Sequence, residues 1–326
     1  MSADKKLIFL AGSTGMVGSA ILKYLIDNYP EVRIRAAYYK HTKPFIRHKR
    51  ISYIYGDIKS EKDCLRMVDG CDAAIMAAAN TGGAAAMLSR PWEQADDNVV
   101  MNVQLIRALS AKKVRRLVYI GSATLYQDCE IPIKEEALDL NIDPPRPYFG
   151  IGWAMRFIEK SCEFWHVQTG IEIAMVRAAN IFGPYARFNP LSSNFIPALI
   201  RKAEEKQDPF EVWGSPDVSR DVLYSEDFAR VIVAMLYNEK IKFDVFNIGS
   251  GIKTKVSDVV SWALKYSGHS PSKIGYLADK PTTVKNRVLD CSKAKSLLGW
   301  QPQYTTEEAI RKTTEWWTTN RKWWKK

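Results

Sequence analysis

Cysteine is scarce in this sequence and forms no pattern. Cys64, Cys71, Cys129, Cys162 and Cys291 stand far apart, with no CxxC pair and no histidine at ligand spacing. That excludes a disulfide-framed scaffold and argues against a structural zinc; an odd, scattered set suits reduced thiols in a cytoplasm. Long hydrophobic runs are missing as well. The N-terminal stretch KKLIFLAG is too short for a signal peptide or a membrane span, so a soluble cytoplasmic protein is expected. There is no internal repeat, low-complexity tract or Pro/Ser-rich linker, so the second half should pack on the first as a lobe. Acidic residues are outnumbered, 36 against 47 Lys and Arg, a net charge of +11. The basic excess is scattered except in the tail NRKWWKK, and no nucleic-acid-binding motif accompanies it. It therefore points to anionic small molecules rather than nucleic acid.

What is present is an alternation of strands and helices over 326 residues, 46% of them hydrophobic. KLIFLAGSTGMVGSAILKYLIDNYP reads as a strand, a Gly-rich turn and an amphipathic helix closed at Pro30. EVRIRAAYY and ISYIYGDI read as the second and third strands, and CDAAIMAAAN as a fourth ending at Asn80. A helix follows through NVVMNVQLIRALSAKKV, then the strand RLVYIGSAT, the helix WAMRFIEKSCEFWHVQTG and the strand IEIAMVRAANIFGP. This order predicts an α/β fold with a doubly wound parallel sheet covered on both faces. Residues 1–184, with parts of 222–250, should form the dinucleotide-binding unit. Residues 185–326 should form mainly a smaller C-terminal α/β substrate lobe.

The turn AGSTGMVGSA sets Gly12, Gly15 and Gly18 between the first strand and first helix, a GxxGxxG spacing. Small residues there let the backbone approach a pyrophosphate at the helix N-terminus and let helix and sheet pack closely. Three glycines also suit an ordinary tight turn; the preceding strand and the GDI of Gly56–Ile58 favour the cofactor reading. An acid at the end of the second strand would bind an adenosine ribose diol. The sequence instead has Tyr38, Tyr39, Lys40, His41 and Lys43, which favours NADP over NAD.

These features together resemble the extended short-chain dehydrogenase/reductase family, in its nucleotide-sugar epimerase, dehydratase and reductase branch. The residues that carry the resemblance are the glycine turn, Asp57, AAAN, NVVMNV, GSATLY, RAANIFGP and SRDVLYSEDFA. NIFGPYARFNPLSSNFIPALIRKA and VWGSPDVSRD are similar to GDP-fucose synthases, which epimerise and reduce a GDP-4-keto-6-deoxy sugar with NADPH. The resemblance implies a Rossmann-type sheet. It implies cofactor contacts from Gly12, Ser13, Thr14, Gly15, Met16, Val17, Gly18, Tyr39, Lys40, Asp57, Ile58, Ala77, Ala78 and Ala79. It also implies a site in which Ser122 and a tyrosine hold the sugar oxygen and a lysine one turn later supports the tyrosine.

The lysine is missing. Read forward from Tyr148, a Tyr-x-x-x-Lys spacing ends on Gly152. Counted back from Arg177, the lysine position is Met155, with Ile151 at the tyrosine position. Methionine has neither charge nor donor, so Met155 marks a member with altered chemistry or a replaced lysine. For the substrate, the resemblance implies Thr124, Asn180, Arg201, Trp213, Arg220 and Arg287, the arginines for a diphosphate and the tryptophan for a wall. The leading expectation is an NADP(H)-dependent enzyme acting on a GDP-linked keto sugar, a homodimer, with no metal. The alternative is a cofactor-binding regulator or scaffold without efficient turnover.

Overall fold

The computed structural model of the chain describes residues 6–39, 44–82, 91–190, 192–277, 284 and 286–321. The strands are β1 Leu7–Ala11, β2 Arg33–Tyr38, β3 Ile51–Tyr55, β4 Ala73–Met76, β5 Arg116–Ser122, β6 Glu172–Ala178 and β7 Asn180–Phe182. They continue with β8 Phe210–Trp213, β9 Ser219–Arg220, β10 Val222–Tyr224, β11 Phe243–Ile248, β12 Thr254–Lys255 and β13 Ile274–Leu277. Seven of these form one parallel sheet in the order β11-β6-β5-β4-β1-β2-β3. The order reverses between β1 and β4, where the strand ends splay their loops apart and leave a crevice. Near-continuous apolar runs such as LIFLA in β1 suit strands buried on both faces.

Side chains alternate across the sheet. Phe9, Tyr119, Ile173 and Met175 face one core, under the helices Pro91–Ala111 and Phe149–Thr169. Ile8, Leu10, Val118 and Val176 face the other, under Met16–Asn28 and Ser225–Tyr237. A third apolar cluster joins Phe182, Phe188, Ile200, Phe210, Val259, Ile310 and Trp317. Burying a large apolar side chain contributes about 1.5–3 kcal/mol, so these clusters are the main stabilising term. Among the described residues no helix is long and apolar enough to cross a membrane.

Two sequence readings change. IEIAMVRAANIFGP is not one strand: β6 ends at Ala178, and Asn180 donates its N–H to the Asp221 carbonyl at 3.1 Å, beginning a separate pairing of β7 with β10. The helix read from Trp153 begins earlier: FGIG is the first turn of the helix Phe149–Thr169, which ends on the left-handed Gly170. Tyr148 closes a short 3-10 turn immediately before it.

From β6, the buried Arg177 fixes the segment that follows β5. It makes a two-point pair with Glu159 at 2.8 and 2.9 Å and donates to the Tyr126 hydroxyl and the Glu135 carbonyl, both at 2.8 Å. Tyr126 in turn donates to Asn247 on β11 at 2.7 Å. Each polar atom in this network has a partner, as burial requires.

Candidate active site

The glycine turn lies at the β1/β4 crevice. Gly12 has φ +77°, and a Cβ there would stand 2.6 Å from the Ala77 carbonyl and the Ala78 nitrogen. A Cβ on Gly18 would fall on the Gly12 carbonyl. Gly15 differs: its Cβ would meet only the Gly12 oxygen at 3.4 Å, so the outer side of the turn is open. No side chain caps the helix Met16–Asn28, and no acid occupies its first turn. The turn thus forms a cradle of main-chain N–H groups that fits the pyrophosphate of a dinucleotide.

Ser13 is buried and donates to the Ala37 carbonyl at 2.7 Å, tying the turn to β2. Gly18→Ala is expected to lower stability by about 1–3 kcal/mol through overpacking against backbone. It should also weaken dinucleotide binding. Thermal unfolding with and without NADPH reads both effects, and unchanged values in both would reject the reading of this turn.

The other expected cofactor residues surround the crevice unevenly. Ala77, Ala78 and Ala79 follow β4, and Ala77 donates to the Ala11 carbonyl at 3.2 Å. Tyr39, largely exposed, hydrogen bonds the Asp57 carboxylate, whose charge raises the phenol above its usual range. Ile58 turns its side chain into the core instead. Val17 packs on the second core and Met16 on the third cluster, while Thr14 stays in the turn. Lys40, with His41 and Lys43, lies outside the described residues.

At the ends of β5 and β6, Ser122, Thr124, Tyr148, Asn180, Arg220, Asp221 and Arg287 line one pocket. Ser122 ends β5, and its Oγ accepts from the Thr124 N–H at 3.3 Å and the Thr124 hydroxyl at 3.1 Å. Tyr148 is buried, with the Arg287 guanidinium carbon 5.1 Å from its ring centroid. Arg287 donates to the carbonyls of Ala123 at 2.5 Å and Tyr126 at 3.2 Å. Burial draws the guanidinium groups of both Arg220 and Arg287 below the usual arginine range. Tyr148 draws each back up, and Arg287 lowers Arg220 further. Two cations therefore share a small, poorly solvated pocket, a setting suited to a dianion such as a diphosphate.

Asp221 is the residue whose role the sequence did not reveal. Its carboxylate accepts from the Ser250 N–H and hydroxyl, both at 2.7 Å, and from the N–H groups of Gly251 at 3.2 Å and Leu289 at 3.1 Å. Its own N–H donates to the Arg287 carbonyl at 3.0 Å, and its carbonyl accepts from the Asn180 amide at 3.0 Å. Burial pushes the carboxyl above its usual range, and the hydrogen bonds from Ser250, Leu289 and Gly251 act against that shift. The residue adjoins Arg220 in SRD, but a sequence does not show which distant N–H groups converge on a carboxylate.

The two candidate lysine positions, Gly152 and Met155, have different surroundings. Gly152, one turn after Tyr148, faces Pro144 and the Thr124 carbonyl, which a Cβ would meet at 2.6 and 2.8 Å. Met155 does not line the pocket. It is 6% exposed in the core, and its sulfur accepts a hydrogen bond from the buried Tyr119 hydroxyl at 3.2 Å. Ile151 packs against the same core. Two expected substrate residues also stay outside this pocket. Arg201 pairs with Glu205 at 2.5 Å on the helix Phe195–Glu204, and Trp213 is 49% exposed on β8.

Known proteins resemble the chain in sequence and in fold. The chain is 29% identical over 320 residues to the GDP-L-fucose synthase of Sinorhizobium fredii, covering 96% of this chain and 95% of that one. A UDP-glucuronic acid 4-epimerase from Bacillus cereus, solved with UDP-glucuronic acid and NAD, superposes with TM-score 0.83 at 22% identity. That match covers 96% of this chain and 99% of the other. A GDP-6-OMe-4-keto-L-xylo-heptose reductase from C. jejuni gives TM-score 0.82 at 21% identity over 98% and 99%. Residues 8–249 match the NAD dependent epimerase/dehydratase family, and the chain belongs to that family of NAD(P)-binding nucleotide-sugar enzymes.

Proposed function

We propose that the chain is an NADP(H)-dependent epimerase/reductase acting on a GDP-linked 4-keto sugar. The observation that carries this is the joint placement of Ser122, Thr124 and Tyr148 beside the cations Arg220 and Arg287 in one pocket. In this reading Ser122 and Thr124 orient the sugar oxygen, and Tyr148 gives or takes its proton. Arg220 holds the diphosphate, with Asn180 on the sugar side. Bound nicotinamide supplies or accepts the hydride. Gly12 to Gly18 with Ala77, Ala78 and Ala79 cradle the dinucleotide, and Asp57 with Tyr39 meets its adenosine end. The absence of an acid after β2 supports NADP. Arg201 and Trp213 would serve the nucleotide from the lobe built on residues 185–326, and 29% identity to a GDP-L-fucose synthase supports guanine as the base. Five free cysteines suit a reducing cytoplasm.

A second reading is a member with slow or no turnover, because neither Gly152 nor Met155 provides a cation. NADPH and NADH oxidation with a panel of GDP- and UDP-linked 4-keto sugars separates the two. Turnover of a GDP sugar supports the first reading, and tight cofactor binding without any turnover supports the second. Arg220→Ala should weaken GDP binding about 10- to 100-fold, the value of a charge-assisted pair. Unchanged affinity in titration calorimetry removes the diphosphate assignment.

A homodimer is also proposed. Trp92 and Val100 on the helix Pro91–Ala111 and Phe149, Phe157 and Phe164 on Phe149–Thr169 are all exposed. The two helices pack side by side, so this apolar face suits a second copy. A monomer mass in sedimentation equilibrium rejects it.

A further inference from the structure

The glycine turn after β1 lies between the loop that follows β4 and the loop that follows β2, because the sheet runs β4-β1-β2. One segment of the chain, residues 183–188, touches both of those loops. On one side Arg187 donates through Nη1 to the Thr81 carbonyl at 3.3 Å, beyond β4. On the other, the Tyr185 ring stands 5.0 Å from that of Phe45, in the loop between β2 and β3. Tyr185 also meets Trp316 at 5.0 Å, and Phe45 meets Trp316 at 6.5 Å. Trp316 belongs to the C-terminal helix Thr306–Asn320 and packs on the third apolar cluster, as does Met16 beside Gly15. We propose that residues 183–188 form a strap across the dinucleotide crevice that sets the rate of cofactor exchange.

The segment is secured at its far end, where Phe188 is buried and stacks on Trp317 with ring centroids 4.1 Å apart. Its backbone is unusual. Tyr185 has φ +67°, a left-handed conformation that is uncommon outside glycine and persists where surrounding contacts hold it. The rings of Phe45 and Trp316 are among those contacts, so the groups that fix Tyr185 also fix the crossing. The two bridges differ in strength. Arg187 and Thr81 are exposed, so water competes for their bond. The half-buried aromatic group is the firmer hold. A segment anchored in the lobe, with one weak and one firm contact across the crevice, can open without unfolding the core. The strap acts whichever sugar nucleotide the pocket takes; it depends only on the glycine turn being the dinucleotide cradle.

The test is stopped-flow binding and release of NADPH on the full chain, release being started by excess NADP, in the parent, Phe45→Ala and Arg187→Ala. A closed strap obstructs entry as much as exit, so loosening it speeds both. Phe45→Ala is expected to raise the association and dissociation rates together by about 10-fold, the value of one or two ring contacts. The dissociation constant should stay near the parent's. Arg187→Ala should act in the same direction by about 2-fold or more, the value of an exposed hydrogen bond. Faster dissociation with association unmoved overturns the inference, because it marks a contact made only to bound cofactor. Unchanged rates in both variants overturn it as well. If Phe45→Ala does not fold, Arg187→Ala decides on the same two rates. NADH takes the place of NADPH if the parent binds only NADH. A parent that binds neither rejects the dinucleotide cradle and the strap with it, whereas tight binding with unmoved rates rejects the strap alone.

Discussion

Met155→Lys is expected to destabilise the fold by about 3 kcal/mol or more and to restore no activity. The methionine is buried with Tyr119, Leu125, Ile158 and Cys162 in the core beneath the helix Phe149–Thr169. An ammonium there would need three acceptors. The Tyr119 hydroxyl could serve as one, and the Glu159 carboxylate, one turn along the helix, already holds Arg177 at two points. Burial would depress such a lysine below its unfolded value, so near neutral pH the unfolded state would bind more protons than the folded one. The penalty is therefore largest below the folded pKa and shrinks as pH rises toward the free lysine range. Urea unfolding at neutral and alkaline pH measures this. An unchanged midpoint together with gained NADPH oxidation would place Met155 at the cofactor after all.

Asp221→Ala should destabilise the protein by about 3–5 kcal/mol and abolish tight GDP binding. The substitution leaves the N–H groups of Ser250, Gly251 and Leu289 without their acceptor in a buried place. It also releases the segment that carries Arg287 from β9, which carries Arg220. Asp221→Asn tests the same point more gently, because its amide NH2 must face donors. Titration calorimetry with GDP beside denaturant unfolding separates the two effects. If folding is intact and GDP affinity unchanged, Asp221 does not position the cations.

Much of this molecule can be read from its sequence because the relevant signals are local. Apolar runs alternate with amphipathic segments, and that alternation dictates a parallel sheet with helices on both faces. The glycine turn, with φ +77° at Gly12 and no room for a Cβ at Gly18, is likewise a short-range constraint visible as GxxGxxG. Ser122, Thr124, Tyr148, Arg220 and Arg287 were recognisable from motifs, and they do meet in one pocket. Arg201 and Trp213 were recognisable in the same way and do not line it, because a motif match carries no information about the direction of a side chain.

The position of the missing lysine shows the same limit. Counting from Tyr148 and counting from Arg177 give two registers three residues apart, Gly152 and Met155, and the sequence reading takes Met155 as the lysine position. Three residues are nearly one helical turn, so both positions share a face. Only the tertiary structure shows that Pro144 packs on Gly152 and that the Tyr119 hydroxyl bonds Met155, and that neither residue lines the pocket. The sequence by itself determined the fold class, the dinucleotide turn and the family, because periodicity and short motifs encode them. Tertiary structure alone decided that Asp221 joins three distant segments and that Arg287 stands over Tyr148. Those contacts join residues far apart in the chain, and no local spacing specifies them.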